Sequence, residues 1–243
     1  MAFSILIPTI NEEKYIGILL EALAQQTYQA FEVIIVDANS SDRTRQVIER
    51  FQPRLNVRMY QLNERGKIGM QRNVAAGKAT SPNLVFFDAD VRPAPNFLQT
   101  LHTQVEQRGL EFATCWNEPL THRLFAKLLF LAFNFGCLSC TQHFAPAAVG
   151  TFIYVKKHAF DAIDGFDEAV VFAEDYDLAR RLATRGYKFG LIKALRIPFS
   201  VRRLERDGKV KFILKMINGA AHFYLKGSIK SCGVVQHEFG LHA

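Results

Sequence analysis

Two aspartates, Asp88 and Asp90, stand two residues apart at the end of the apolar run Leu84-Val-Phe-Phe87. On an extended chain, side chains two apart point the same way, so the pair can face one ligand. Carboxylates that close raise each other's pKa unless a positive charge lies between them. A divalent cation carrying a diphosphate would supply that charge, and oxygen donors of this kind suit Mg²⁺ or Mn²⁺. Asp37 ends a second apolar run, Phe31-Glu-Val-Ile-Ile-Val36, and Glu174-Asp175 opens a helical segment. Each acid also has a plainer reading, because strand-end and helix-start carboxylates cap loops and favour helix N-termini.

The elements that must position these acids follow from hydrophobic pattern. Residues 2–8, 31–37 and 84–87 are apolar without alternation, as strands buried on both faces of a parallel sheet are. Asn11 is the expected N-cap of a helix carrying Ile16, Leu19, Leu20 and Leu23 on its buried stripe. Asn39-Ser-Ser-Asp42 is turn and cap chemistry opening a helix through Phe51. A strand over 55–61 and a helix over 65–79 precede the Asp88 strand, and this βαβαβαβ order predicts a parallel sheet with right-handed crossovers. Further helices are expected over 96–107, 157–163 and 174–185, and strands over 110–115, 150–156, 188–192 and 196–201. Residues 123–140 are apolar on nearly every side, which suits either a buried core helix or one touching lipid or a hydrophobic acceptor. A last helix over 209–226 puts Lys211, Lys215, Asn218, His222 and Lys226 on one stripe and Phe212, Ile213, Met216, Ile217, Ala220 and Tyr224 on the other. Such a basic amphipathic helix suits either an anionic membrane surface or packing on the domain with a solvated lysine face.

A chain of 243 residues, 49% hydrophobic and 22% charged, fits one large α/β domain and excludes a disordered chain. The net charge of +7 is local: residues 193–230 hold ten Lys/Arg against Glu205 and Asp207. Cys115, Cys137, Cys140 and Cys232 lie in or beside apolar segments, as buried thiols of a reducing compartment do. Cys137-x-x-Cys140 near His143 lacks an obvious fourth ligand for zinc. Met1 is followed directly by a strand pattern rather than a charged leader, and no apolar run is long enough to span a bilayer, so a cytoplasmic protein is expected, with peripheral contact to the inner face of the membrane as the alternative.

Taken together, Ser4-Ile-Leu-Ile-Pro-Thr-Ile-Asn-Glu12, Ile35-Val-Asp-Ala-Asn-Ser-Ser-Asp-Arg-Thr44, Met70-Gln-Arg-Asn73, Phe86-Phe-Asp-Ala-Asp90, Gly165-Phe-Asp167 and Phe172-Ala-Glu-Asp-Tyr-Asp-Leu178 resemble, in order and spacing, the inverting glycosyltransferases of family two on the GT-A fold. The resemblance runs from the first strand to about residue 192 and, less diagnostically, through 202–227. It implies a single domain: a nucleotide-binding half over about 1–115, an acceptor half over about 116–200 and the basic C-terminal segment over about 201–243. It implies that Pro8, Thr9, Asn11 and Glu12 line the nucleotide pocket and that Asp37, beside Ser40, accepts the imide N–H of uracil. Lys67 and Arg72 would meet base or phosphates. Asp88-Ala89-Asp90 becomes the D-x-D motif, with Asp88 toward the ribose and Asp90 on the metal, Mn²⁺ or Mg²⁺. Glu174-Asp175 becomes the acceptor motif with Asp175 as base, and Arg202 or Arg203 would cover the phosphates.

The resemblance implies transfer of one sugar from a UDP- or GDP-sugar, UDP favoured, to an acceptor, with a lipid-linked glycan, a membrane lipid and a small soluble molecule all open. The composition of the apolar segments 123–140 and 209–226 leans toward a membrane-bound one. Ala38 stands where many relatives carry a second acid, and Arg43 where they carry glycine. The Gln-x-x-Arg-Trp signature of processive synthases is missing, which favours single transfer over polymer synthesis. A sugar-nucleotide pyrophosphorylase would open with a glycine-rich loop, unlike Pro8-Thr-Ile-Asn11, and a non-catalytic module would not need Asp88, Asp90 and Asp175 together. The aromatics of the basic end lie on an amphipathic helix and not on a strand platform, which argues against a nucleic-acid partner.

Overall fold

The computed structural model describes residues 2–63, 65–215 and 218. Four strands, β1 (Phe3–Thr9), β2 (Phe31–Asp37), β3 (Val57–Gln61) and β4 (Asn83–Phe87), alternate with helices α1 (Ile16–Ala24), α2 (Thr44–Glu49) and α3 (Ile68–Lys78). Then come α4 (Phe97–Arg108), β5 (Phe112–Pro119), α5 (Leu124–Phe133) and a π-helical turn (Asn134–Ser139). The described elements close with β6 (Phe152–Lys156), α6 (Lys157–Asp161), α7 (Glu174–Thr184), β7 (Phe189–Phe199) and α8 (Arg202–Asp207).

The strands form one seven-stranded sheet in the order β3-β2-β1-β4-β6-β5-β7. The β1–β2, β1–β4, β2–β3 and β5–β7 pairs are parallel, as the βα alternation predicts. Only β6 runs against its neighbours. Alternate residues of β1 feed two cores: Phe3, Ile5 and Ile7 pack with α1 and α4, and Leu6 with α3 and α7. That two-sided burial is why the strand sequences are apolar without alternation.

Several expectations are corrected. The helix after β1 does not start at Asn11; Tyr15 occupies its N-cap. Asn11 instead adopts a left-handed φ of 52°, and its side-chain oxygen accepts the Ser41 N–H. An Asn tolerates that conformation better than most residues. The two strands expected over 188–201 are one, β7, in which Ile192 faces Cys115 but Arg196 faces Trp116, so residues 193–195 are carried in a bulge. The segment 123–140 is neither wholly buried nor wholly free: Ala126, Phe130, Asn134 and Leu138 face the core, and Leu124, Leu128, Leu131 and Phe135 face outward. Of the helix expected over 209–226, residues 209–215 are helical; 216–217 and 219–226 lie outside the described residues, as does Cys232. Among the described residues no helix is long and apolar enough to cross a membrane, and no cluster of three His, Cys, Asp or Glu encloses a metal, the Cys137–Cys140 pair included.

Candidate active site

The acids gather where β1, β2 and β4 end, the edge at which open α/β sheets bind ligands. β4 stops at Phe87, so Asp88 and Asp90 lie in the turn beyond it and not on a continuing strand. Strand alternation therefore does not align them: Asp88 pairs with Arg72 and Asp90 with Arg202. Ala89 between them is buried in the core.

The first cluster surrounds Asp37, 3% exposed at the end of β2. Its Oδ1 accepts the Thr9 hydroxyl at 3.0 Å and the Ser40 hydroxyl at 2.5 Å, while Oδ2 accepts the Ser40 N–H at 2.9 Å. The Ser40 hydroxyl oxygen accepts the Asn11 N–H at 2.8 Å, and Thr44 Oγ1 accepts the Glu12 N–H at 2.7 Å. The loops after β1 and β2 are thereby laced into one wall, with Pro8 and Thr9 at its base. Thr9 is held further by its N–H to Gln71 Oε1 at 3.1 Å.

The second cluster surrounds Arg72. Its position on α3 leaves the guanidinium fully buried, donating from Nη2 to Asp88 at 2.8 Å and to the Gly150 carbonyl at 3.2 Å, and from Nη1 to Glu174 at 3.0 Å. Burial would discharge it, but Asp88, Glu174 and Asp175 hold it more firmly protonated than a free arginine. Arg72 therefore reaches the carboxylates directly.

Asp175 sits in the first turn of α7, preceded by Ala173 at a left-handed φ of 59°. A left-handed alanine is strained, and strain of this kind gathers at functional sites. Asp175 Oδ2 accepts the Gly150 N–H at 2.7 Å and Oδ1 its neighbour Tyr176's N–H at 2.9 Å. Burial first, then the Glu174 charge, raise its pKa from 3.8 to about 7, against the pull of Arg72 and the two N–H groups. Gly150 ties the cluster together. A Cβ there would stand 2.8 Å from Arg72 Nη2 and 3.5 Å from both Asp88 Oδ2 and Asp175 Oδ2. The two carboxylates thus approach one point from either side of a glycine, within twice that distance of each other.

The third cluster joins the ends of the described chain. Arg202, opening α8, donates to both oxygens of the buried Glu12 at 2.7 and 2.6 Å, a bidentate pair. Its Nε lies 3.2 Å from Asp90, and its guanidinium stacks 4.6 Å over the Tyr15 ring. Burial raises Asp90 from 3.8 to about 6; Arg202 opposes this, while Asp88 and Glu12 add to it. Glu12 is raised as well, chiefly by burial. The exposed Arg203 contributes positive field to both acids.

Most of the expected residues therefore meet. Lys67 stands apart: it is exposed and donates to the Glu168 carbonyl at 2.9 Å. Gly150 and Gln71 escaped the sequence reading. Gly150 offers only the glycine that opens the strand expected over 150–156, and Gln71 lies inside the Met70-Gln-Arg-Asn73 motif.

Residues 4–160 match the family model described as glycosyl transferase family 2. The chain is 37% identical over 115 residues to poly(ribitol-phosphate) beta-N-acetylglucosaminyltransferase TarS of Staphylococcus aureus, covering 43% of this chain and 20% of that one. The chain thus spans about a fifth of the length of that curated relative. It is 27% identical over 214 residues to the amylovoran biosynthesis glycosyltransferase AmsB of Erwinia amylovora, covering 79% of this chain and 67% of that protein. In fold it is similar to residues 1–349 of S. aureus TarS in complex with UDP, with a TM-score of 0.69 and 23% identity over 93% of this chain and 73% of that one. It is equally similar, at a TM-score of 0.69 and 21% identity over 93% of this chain and 70% of that one, to the mannosyltransferase PcManGT of Pyrobaculum calidifontis in complex with GDP-Man and Mn²⁺. A GT-A sheet edge lined by Asp37, Asp88, Asp90 and Asp175, on a chain matched to that model over most of its length, belongs to glycosyl transferase family 2.

Proposed function

We propose that this chain is a metal-dependent, inverting glycosyltransferase that moves one sugar from a nucleoside-diphosphate donor, UDP in preference to GDP, to an acceptor hydroxyl. The observation that carries the reading is Asp175. A carboxyl poised at about 7 beside Asp88 suits a general base at neutral pH. It takes the proton of the acceptor hydroxyl as that oxygen bonds to the anomeric carbon. The bond to the phosphate oxygen breaks on the opposite face, its electron pair leaving with the diphosphate, and the centre inverts. The N–H groups of Gly150 and Tyr176 keep Asp175 aimed, and burial together with Glu174 holds its pKa up.

The preference for UDP rests on counting acceptors at Asp37. Each carboxylate oxygen offers about two lone-pair positions. Oδ1 already takes two donors and Oδ2 one, so among the described residues a single position is left. Uracil presents one imide N–H; guanine presents two adjacent donors.

The carboxylates fit a divalent ion of the Mg²⁺ or Mn²⁺ type. Such an ion is commonly held by one or two carboxylates and completed by substrate phosphates and water. Asp90 and Asp88 offer that set, and the burial that raises Asp90, with the lesser repulsion from Asp88 and Glu12, is offset by added positive charge. When bound, the ion supplies charge opposite the leaving diphosphate. Arg202 and Arg203 stand beside the same acids and add to that field.

Calorimetric titration of UDP and of GDP, each with and without Mn²⁺, tests the donor reading. Metal-dependent binding of UDP at least tenfold tighter than GDP is expected. Equal binding of both nucleotides would refute the role given to Asp37, and binding indifferent to Mn²⁺ would refute that given to Asp90.

A further inference from the structure

One apolar face of the described surface has no part in the proposed chemistry. Leu124, Leu128, Leu131 and Phe135 recur at spacings of four, three and four, which places them on one side of α5 and the π-turn. They are 68%, 55%, 45% and 52% exposed. Residues 209–215 pack beside α5. Phe212 packs beside Phe125 and Ala126, with its ring 6.4 Å from that of Phe130, and Val210 and Leu214 remain 73% and 53% exposed. Six large apolar side chains thus lie on two adjoining helices.

The surrounding charge is mainly positive. Residues 123–135 and 202–215 together hold eight Lys/Arg against Glu205 and Asp207. Those two acids are already engaged, by Arg123, Arg206 and Lys215. Lys127, Lys209 and Lys211 are exposed, and the Lys209 ammonium lies 4.8 Å over the Phe125 ring at the margin of the apolar surface. Protein–protein interfaces are depleted in lysine, whereas helices lying in a membrane interface combine leucine and phenylalanine with lysine and arginine.

We propose that this face docks on an anionic phospholipid surface. Leu124, Leu128, Leu131, Phe135, Val210 and Leu214 enter the boundary between headgroups and acyl chains, and Lys127, Lys209 and Lys211 meet lipid phosphates. The contact is peripheral. Both attractions are needed for tight binding, because a few half-exposed side chains bury little area alone and each lysine near such a surface strengthens binding only about fivefold.

The test is flotation of the whole protein with vesicles of phosphatidylcholine, with and without about one third phosphatidylglycerol, at about 0.05 M and about 0.5 M salt. Wild type is expected to float with the anionic vesicles at low salt and to be largely released at high salt. Leu128→Glu with Leu131→Glu should lower binding at least tenfold, and Lys209→Ser with Lys211→Ser roughly tenfold or more. Both pairs should melt within about 2 °C of wild type, as exposed positions do. Protein that stays at the bottom with anionic vesicles at low salt overturns the proposal. So does a large fall in melting temperature of the double-glutamate variant, which would mean that the face is covered within the molecule. A dimer that this variant converts to monomer would assign the face to a second copy and equally overturn it. Vesicle binding requires no donor, so none of these results bears on the transfer reaction.

Discussion

Replacing Asp175 by Asn should move activity and stability in opposite directions, and the size of each effect follows from its surroundings. Asn cannot take the acceptor proton, so transfer should fall by about 10²–10⁴-fold at pH 8 while UDP affinity stays unchanged. In the fold the carboxyl titrates near 7 instead of 3.8. Between those values the folded protein binds more protons than the unfolded chain, so this group's contribution to stability falls as pH rises and is fully unfavourable above about 7. Roughly three units at 1.36 kcal/mol each set a ceiling of about 4 kcal/mol. Partial exposure of the side chain and its shared titration with Glu174 bring this to about half. Asn keeps an oxygen for the Gly150 N–H but turns an amide toward that of Tyr176, forfeiting about 1 kcal/mol. The net gain at pH 8 is about 1 kcal/mol, or roughly 2–4 °C in melting temperature for a chain of this size. At pH 5, where wild type is already protonated, the gain should vanish. Thermal melts of both proteins across pH 5 to 8, beside initial rates of sugar transfer, check the pair of effects. A variant that melts no higher than wild type at pH 8, or that transfers at the wild-type rate, would refute the reasoning.

Gly150→Ala puts a methyl 2.8 Å from Arg72 Nη2, so one of the guanidinium's hydrogen bonds must lengthen; a loss of about 1–3 kcal/mol in chemical denaturation and at least tenfold in transfer is expected. Arg72→Leu leaves Asp88, Glu174 and Asp175 without their buried cation, which should cost about 3–5 kcal/mol at pH 8 and much less at pH 5, where protons replace the missing charge. Since Asp90 titrates near 6, calorimetric affinity for UDP with Mn²⁺ should hold above that pH and fall about tenfold per unit below it. Asp90→Ala should abolish the Mn²⁺ dependence at every pH.

The parallel half of the sheet was open to reading because its strands are buried on both sides, and such burial leaves continuous apolar runs such as Phe31–Asp37. The reversal of β6 left no mark, since a central strand reads alike in either direction. Asn11 misled because an Asn before two glutamates is also a helix-cap pattern. Its use here, accepting the Ser41 N–H across two loops, depends on a partner 30 residues away. Distance in sequence likewise hid the carboxylate clamp. Arg72, 102 residues from Glu174, reads as a cation for base or phosphates, and its pair with Glu174 exists only once α3 and α7 share a face of the sheet. The acids themselves were legible, standing at strand ends and a helix start where their chemistry and their burial can both be reached.

The Glu12–Arg202 pair spans 190 residues and closes nearly the whole described chain into one loop. During synthesis, Glu12 emerges long before its cation exists. Until α8 is made, Glu12 and Asp90 lack the guanidinium that pairs with both, whereas Asp88 already has Arg72. The wall laced by Asp37, Ser40, Asn11 and Thr44 lies wholly within the first 44 residues, whereas the Glu12–Asp90 edge is complete only when residue 202 is in place. The two halves of the sheet edge thus draw on opposite ends of the described sequence, and a change near residue 202 reaches the loop after β1 directly.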